Sequence, residues 1–524
     1  MSMSARKYSI ASNRGRSPVS RQLSLAAFLY FLAVVSVQLF TVCTLAADLS
    51  PIPTDSWQNR ELDWLLLNPP IDETFQIGSR PYLRDDIARL AAENGLTGNR
   101  AIEWKRGKLR AEREERYVLR SGIKPKLSIR TKISPYSIVS FSDSMRPLYR
   151  TGLKDEIAIM PAENVTIYLR GRIENKGERD SFFKGTKWKK NLTGYFDYGL
   201  LVYRTGGLTL QYGRTFRVWG SGDTDRLLLS DNSPALDQLF AQYSYKRFMF
   251  QTFIASLDDL QAAPDSLVER FLAGHRVSFK PRRNLEIGLS ETVLHGRQSG
   301  PDWIYLNPIL PYYWEQYNIR QNDNVYMGAD FVWWPFAGTR IHGELLIDDF
   351  QIDFKSEPHQ VGFDIGFSRL GVLGQERLRL DGQYTKIRKY VYGQVRQQNI
   401  FTNNGIVIGS SLGPDADRAR CRASYSLSSD ITLCLGGSLV RKGEGRATDP
   451  QSSAVPKGEA FPSGIVERAS TIYLEMSLLG GTVLDLEVEA GLYKVDNLAN
   501  RPERLESPYI DIQIQYDFQR WFLL

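Results

Sequence analysis

The sequence predicts a mainly β fold, a transmembrane antiparallel β-barrel of sixteen or eighteen strands preceded by a small helical region. Three observations carry this reading. Segments of strict period-two alternation follow one another almost to the last residue. The connections between them alternate between tight turns and long polar loops. The chain opens on a segment with the order of an export signal.

That first segment has a basic lead, Arg6, Lys7, Arg14, Arg16 and Arg21, then an apolar run from Leu23 to Val42 and the small residues of Thr44 to Asp48. This is the order of a secretory signal peptide, expected over 1–46. An uncleaved anchor is the alternative, and Val42 is too bulky for Cys43 to be a lipid-modified site. The five basic residues and no acid lie in this segment, so the formal charge falls from +7 to about +2 without it. The basic balance is therefore a targeting property and gives no argument for a nucleic-acid partner.

Residues 47–118 read as a periplasmic helical region. Asp55 to Leu67 and Pro81 to Gly95 have helical patterning, the second opening at a proline and closing at a glycine. The charged stretch Glu103 to Arg116 reads as a third helix.

Residues 119–524 read as the barrel. At the end of the chain Ile510, Ile512, Ile514, Tyr516 and Phe518 fall on one face, and Asp511, Gln513, Gln515 and Asp517 on the other. Short turns are expected at Thr205–Gly207, Lys246–Arg247, Pro281–Asn284, Pro335–Gly338, Leu373–Gln375, Ser428–Asp430 and Gly480–Gly481. Between these hairpins lie 220–235, 259–269, 297–323, 353–358, 390–416, 443–467 and 495–507. A barrel sorts its loops in this way, with tight periplasmic turns and long outward loops. Seven hairpins, the C-terminal strand and Val165 to Glu174 make sixteen strands. A further pair comes either from Leu127 to Phe141 or from 390–408, and an even count keeps both ends on one side.

Outside the signal segment the cysteines are Cys421 and Cys434, on strands that flank one turn. Whether their register permits a disulfide is open. The four histidines have no metal-binding spacing, and neither a metal nor a cofactor is expected. His275 and His295 are expected toward the lumen or an interface. Asp348 and Asp349 are neighbours on a strand, so only one faces inward, which is not a paired-carboxylate geometry.

Two loops stand out. Arg297 to Asn318 carries Trp303, Tyr305, Tyr312, Tyr313, Trp314 and Tyr317, with Asn307 between them. Such aromatics stack on sugar rings or line the membrane interface, and both readings stay open. Trp333, Trp334 and Phe336, beside a tight turn, read as interface girdle. In Arg217 to Asn232, RVWGSGDTDRLLLSDN, alternation stops and charges, glycines and leucines crowd together. Its position at an outward strand end predicts an inward-folded plug, with Trp219 and the leucines packed.

Val218 to Pro234 resembles the motif of the capsule assembly Wzi family, with Trp219, Gly220, Gly222, Leu227, Leu229, Ser230, Asp231, Asn232 and Pro234 matching. Ser221 stands where the family prefers proline, and the chain ends on Leu524 where an aromatic is usual. Phe271 to Glu291, Leu306 to Pro308 and Leu346 to Phe350 look similar too. The resemblance implies an eighteen-stranded barrel in the outer membrane of a Gram-negative-type bacterium, with a periplasmic helical bundle. It implies a non-catalytic role in holding capsule or exopolysaccharide, with surface polysaccharide and membrane lipid as partners and a monomer as the assembly. A porin-like channel is the alternative, and an outer-membrane enzyme on glycan or lipid the third reading. The candidate ligand-binding residues are Trp219, Asp223, Asp225, Arg226, Asp231 and Asn232 in one loop, and Trp303, Tyr305, Asn307, Tyr312, Tyr313 and Trp314 in the other.

Overall fold

The computed structural model describes residues 47–524 except 71–72, 93–101, 110–126, 143–147, 178–182, 184, 186, 189–191, 264–265, 299, 319–322, 350–358, 450–458 and 482. The signal-peptide expectation and the loop 353–358 lie outside the described residues.

Eighteen antiparallel strands close into one barrel among the described residues. In chain order they are β1 Ser128–Phe141, β2 Leu148–Ala162, β3 Val165–Asn175, β4 Leu192–Thr205, β5 Leu208–Thr215 and β6 Leu236–Tyr245. Then come β7 Phe248–Ser256, β8 Ser266–Arg282, β9 Leu285–Arg297, β10 Asn324–Trp333, β11 Thr339–Asp349 and β12 Gln360–Leu370. The last six are β13 Leu378–Ile387, β14 Ala416–Ser426, β15 Ile431–Lys442, β16 Glu467–Gly480, β17 Leu484–Asp496 and β18, which is Arg504–Tyr516 continued by Phe518–Leu523. Each strand pairs with its neighbour in sequence. The ring closes where β1 pairs with both β2 (Ser128↔Met160) and β18 (Tyr136↔Gln515, Ser128↔Leu523). The pair that completes the count is thus β1 and β2. Residues 390–408 are not wall strands but part of a loop inside the lumen.

Alternation sets the two faces of the wall. In β12, Asp364 and Ser368 are buried toward the lumen, while Phe363, Ile365 and Phe367 are exposed on the outside. A soluble protein would hide those rings; a barrel in lipid presents them to acyl chains. The same inversion recurs at Phe279, Ile287, Leu289 and Phe331. The connections from each even-numbered strand to the next odd one span at most seven residues, and they lie at one end with the chain termini of the barrel.

The helical region docks into that end. Its helices are α1 Trp57–Leu65, α2 Arg84–Ala92 and α3 over 102–109. Trp57, Leu62, Trp64 and Leu65–Leu67 form one apolar core with Val332, Trp334, Leu370 and Leu479 of the barrel. Trp334 is therefore not girdle. It is buried, and its indole Nε1 donates to Leu66 O at 3.0 Å. Trp333 and Phe336 are the exposed members of that set. Gly338 N donates to Asn68 Oδ1 (2.9 Å) and Lys105 Nζ to Glu61 (3.0 Å) and Thr432 (3.0 Å), pinning helices to turns. The region does more than cap the mouth. Ile77 and Gly78 donate to Glu286 on the lumen wall, and Ser79–Arg80 pairs with Val218–Trp219 inside the barrel.

The thiols of Cys421 and Cys434 are free. Their strands do pair, but Cys421 stands opposite Gly437 and Cys434 opposite Ser424. Cys421 is exposed on the outside and Cys434 is buried toward the lumen. That register and those opposite faces exclude a bond between them.

Candidate functional site

The motif loop turns inward. β5 stops at Thr215, earlier than the sequence pattern suggests, and 216–235 enters the lumen before β6 begins. Trp219 bridges Leu229 and packs edge-on against Phe253, with ring centroids 5.2 Å apart. Trp219 has no exposed surface and Leu227, Leu228 and Leu229 are buried with it. A carboxylate on the wall holds the turn: Glu344 accepts from Gly222 N and, at 2.9 Å, from Leu227 N. Gly220 has φ +126°, and a Cβ there would meet Glu344 Oε1 at 2.5 Å, so only glycine fits the approach.

The loop charges are answered by the wall. Arg340 donates to Asp223 (2.6 Å), Arg418 to Asp225 (2.6 Å) and Arg420 to Thr224 (2.5 Å). Burial works to raise Asp223, but Arg340 and other lumen cations outweigh it and hold the carboxyl well below its usual range. At Asp225 burial wins and the pKa is raised despite Arg418. Arg217 donates to Gln211 (2.8 Å) and Gln238 (3.1 Å), lies 3.6 Å from the Phe240 ring centroid, and burial pushes it down to about 9. Arg226 is buried in the same loop. Asn232 Nδ2 donates to Val407 O at 2.8 Å, and Asp231 beside it is half-buried.

A second inward loop, 388–415, completes the plug. Tyr392 Oη donates to Leu227 O (2.6 Å) and its ring stacks on Phe401, which lies 4.2 Å from Tyr326. Tyr390 and Tyr392 both have positive φ, at 72° and 71°, a strained choice for large side chains that the packing overrides. Asp348 is the inward member of its pair and accepts from Tyr392 N at 2.8 Å. Its role is loop anchoring. Nothing in the spacing of 388–415 announces this inward course; the Asn403-Asn404-Gly405 and Gly413-Pro414-Asp415 runs mark turns without giving their direction.

Beside the plug lies an outward-opening cavity of about 480 Å³. It exists because the wall is notched. The outermost pair between β4 and β5 is Gly199↔Arg214, and between β7 and β8 it is Ser256↔Phe271, while β4 runs on to Leu192 and β8 to Ser266. Tyr195, Phe196, Phe216 and Phe271 line the gap with Asp197, Asp237, Asp258, Asp259 and Glu269. Asn403 ties three loops together there: its Oδ1 accepts from Asp258 N (3.2 Å) and its Nδ2 donates to Pro234 O (3.3 Å). Rings and carboxylates facing one cleft suit a polyhydroxylated ligand.

The aromatic loop after β9 turns the other way, over the outside of the wall. Tyr305 and Tyr312 are buried against Ala273, Val293 and Val325. Tyr312 N and Tyr313 N donate to Glu291 (2.8 and 2.7 Å), and Tyr305 Oη to Asp323 (2.7 Å). His275 and His295 face outward beneath this loop, not into the lumen, with His275 Nε2 3.0 Å from Glu291. Trp303, Asn307 and Trp314 remain exposed. The two groups of candidate residues therefore lie on opposite sides of one wall. They do not form one site.

A protein-family model described as capsule assembly protein Wzi matches residues 156–505. The chain belongs to that family. Among solved structures, the Escherichia coli outer membrane protein Wzi, described as a carbohydrate-binding β-barrel involved in group 1 capsule assembly, is similar at 14% identity. The match covers 88% of this chain and 99% of that one, with a TM-score of 0.59. Pseudomonas aeruginosa OccK1 (11% identity, 75% and 99% covered, TM-score 0.45) and OprD (12%, 75% and 95%, 0.43) are more distant in shape. A search of curated protein sequences finds no match. The plug of this Wzi-family barrel is built on the stretch whose residues carry the family motif.

Proposed function

We propose that this outer-membrane barrel binds surface polysaccharide in the notch cavity and holds it at the cell surface, without catalysis. Residues 1–46 direct export, 47–118 sit on the periplasmic side, and the barrel works as a monomer. One observation carries the reading: the lumen is filled by two inward loops and the Ile77–Arg80 segment, while the aromatic, carboxylate-lined cavity opens outward beside them. Large rings packed across a lumen favour a closed barrel over a diffusion channel. The similar Escherichia coli protein, described as carbohydrate binding, supports the choice of ligand. The buried Trp219, Asp225 and Tyr305 serve the fold, and Tyr195, Asp258, Asp259 and Phe271 take over as ligand candidates.

The test is titration of purified, folded protein with glycan extracted from the source cell surface, alongside Tyr195→Ala and Asp259→Asn. Each variant is expected to weaken binding about tenfold, the size of one lost stacking or charge-assisted contact of about 1–1.5 kcal/mol. Unchanged binding in both folded variants removes the cavity from the account. Steady single-channel conductance in planar bilayers, with no glycan bound, sinks the whole reading in favour of a channel.

A further inference from the structure

The loop 297–318 lies on the lipid side of the barrel wall, and three observations fix its surroundings. Alternation places Glu291, Val293 and His295 of β9 on the same outer face as Ile287 and Leu289, of which Leu289 is 59% exposed to the membrane. The loop covers the polar part of that face. Glu291 accepts from two backbone N–H groups of the loop and meets His275, and Glu269 accepts from Gly300 N at 2.8 Å. Left bare, charged groups on a lipid-facing wall are costly, so the loop acts as a polar-to-apolar adaptor.

Its own outer surface is apolar. Trp303 is 68%, Ile309 84% and Trp314 64% exposed. Height decides what that surface meets. Leu285 pairs with Trp333 at the short-turn end, beside the exposed Phe336. A tilted strand climbs about 2.5 Å per residue along the barrel axis, which puts Glu291 about 15 Å and His295 about 25 Å above that level, within or at the top of an apolar band about 25 Å tall.

We propose that residues 297–318 form a membrane-facing flap that seats Trp303, Ile309 and Trp314 in the outer leaflet, at the boundary between acyl chains and headgroups. The occupant is lipid because the patch is continuous with the lipid-facing wall of β8 to β10. Tryptophan suits that boundary, since its ring is apolar and its N–H reaches the wet side. The flap sets how deep the barrel sits on the side where the wall is notched. This inference stands independently of the cavity's ligand.

The experiment places a nitroxide at Ile309→Cys in the full chain, with Cys43→Ser, Cys421→Ser and Cys434→Ser, reconstituted in phosphatidylcholine vesicles. Leu373→Cys, on an exposed short turn, reports the aqueous reference. Molecular oxygen, which partitions into lipid, is expected to relax the label at 309 several-fold more than a water-soluble nickel chelate, with the reverse order at 373. Preference for the nickel chelate at 309 overturns the proposal. So does dipolar broadening between labels on two barrels, which assigns the patch to a second copy. So does loss of oxygen access on adding surface polysaccharide, which assigns it to the glycan. Trp303→Ala with Trp314→Ala supplies a second arm: brominated lipid is expected to quench wild-type tryptophan emission more than that of the double variant. Equal fractional quenching overturns the seating.

Discussion

The plug loop 216–235 and the flap 297–318 leave the same end of the barrel, and each buries part of itself, the plug Trp219 with three leucines and the flap Tyr305 with Tyr312. They fold to opposite sides of the wall. The difference lies in what each wall face offers. The lumen face presents Arg340, Arg418, Arg420 and Glu344, which satisfy the aspartates and backbone N–H groups of the plug. The outer face presents apolar rows interrupted by Glu291, His275 and Glu269; Glu291 and Glu269 anchor the flap through its backbone, Tyr305 and Tyr312 pack down on the wall, and Trp303 and Trp314 face away. A loop rich in side-chain charge goes where charges are answered; a loop rich in rings goes where rings are tolerated.

Three changes break or sharpen this contrast. The largest effect is expected at Trp219. Removing a fully buried indole leaves a cavity, so Trp219→Ala should cost about 3–5 kcal/mol. Trp314→Ala, on the exposed flap surface, should stay within about 0.5 kcal/mol. Denaturant unfolding of the two variants in the same detergent measures both, and equal losses would mean that the plug is not the packed region. The next effect is at the plug's anchor. Glu344→Ala strands the N–H groups of Gly222 and Leu227, at about 1–3 kcal/mol each. A less stable plug should appear as flickering conductance in planar bilayers, where the parent protein stays near zero. No such change is expected from Glu291→Ala, which frees only the flap.

The smallest effect concerns the docked helices, and it depends on pH. Hydrogen bonds from Arg247 and Arg283 lower Glu73 to about 2. Burial works to raise Asp86, and the bidentate Arg204 outweighs it, so Asp86 is lowered as well. Depressed carboxylates stabilise docking above their ordinary range, and that contribution is lost as pH falls, for Glu73 between about 4.5 and about 2. Limited proteolysis between residues 47 and 118 should accelerate over that window. Asp86→Asn should do so already at neutral pH, and an acid-insensitive cleavage pattern would show that docking rests on the Trp334 core alone.

Much of this was legible beforehand, for a local reason. Residue alternation reports which strand face meets lipid, so β3 and β18 read directly from their side chains. Turn residues report where hairpins close. The motif around Trp219 was legible as a plug because three leucines cannot wave in water. The tyrosines at 390 and 392 were not, because their inward course follows from backbone angles and partners far along the chain. Trp334 was misread as girdle for a related reason: a tryptophan beside a turn suits lipid or a docked helix equally well until Leu66 is seen against it.

By itself the sequence determined the barrel, its loop asymmetry and the family, because each rests on local pattern or on a motif of contiguous residues. The tertiary structure alone decided the side of the wall on which each loop lies, the notch between β4 and β8, and the free state of Cys421 and Cys434. Those depend on register and on contacts between distant strands, which period-two alternation leaves unspecified.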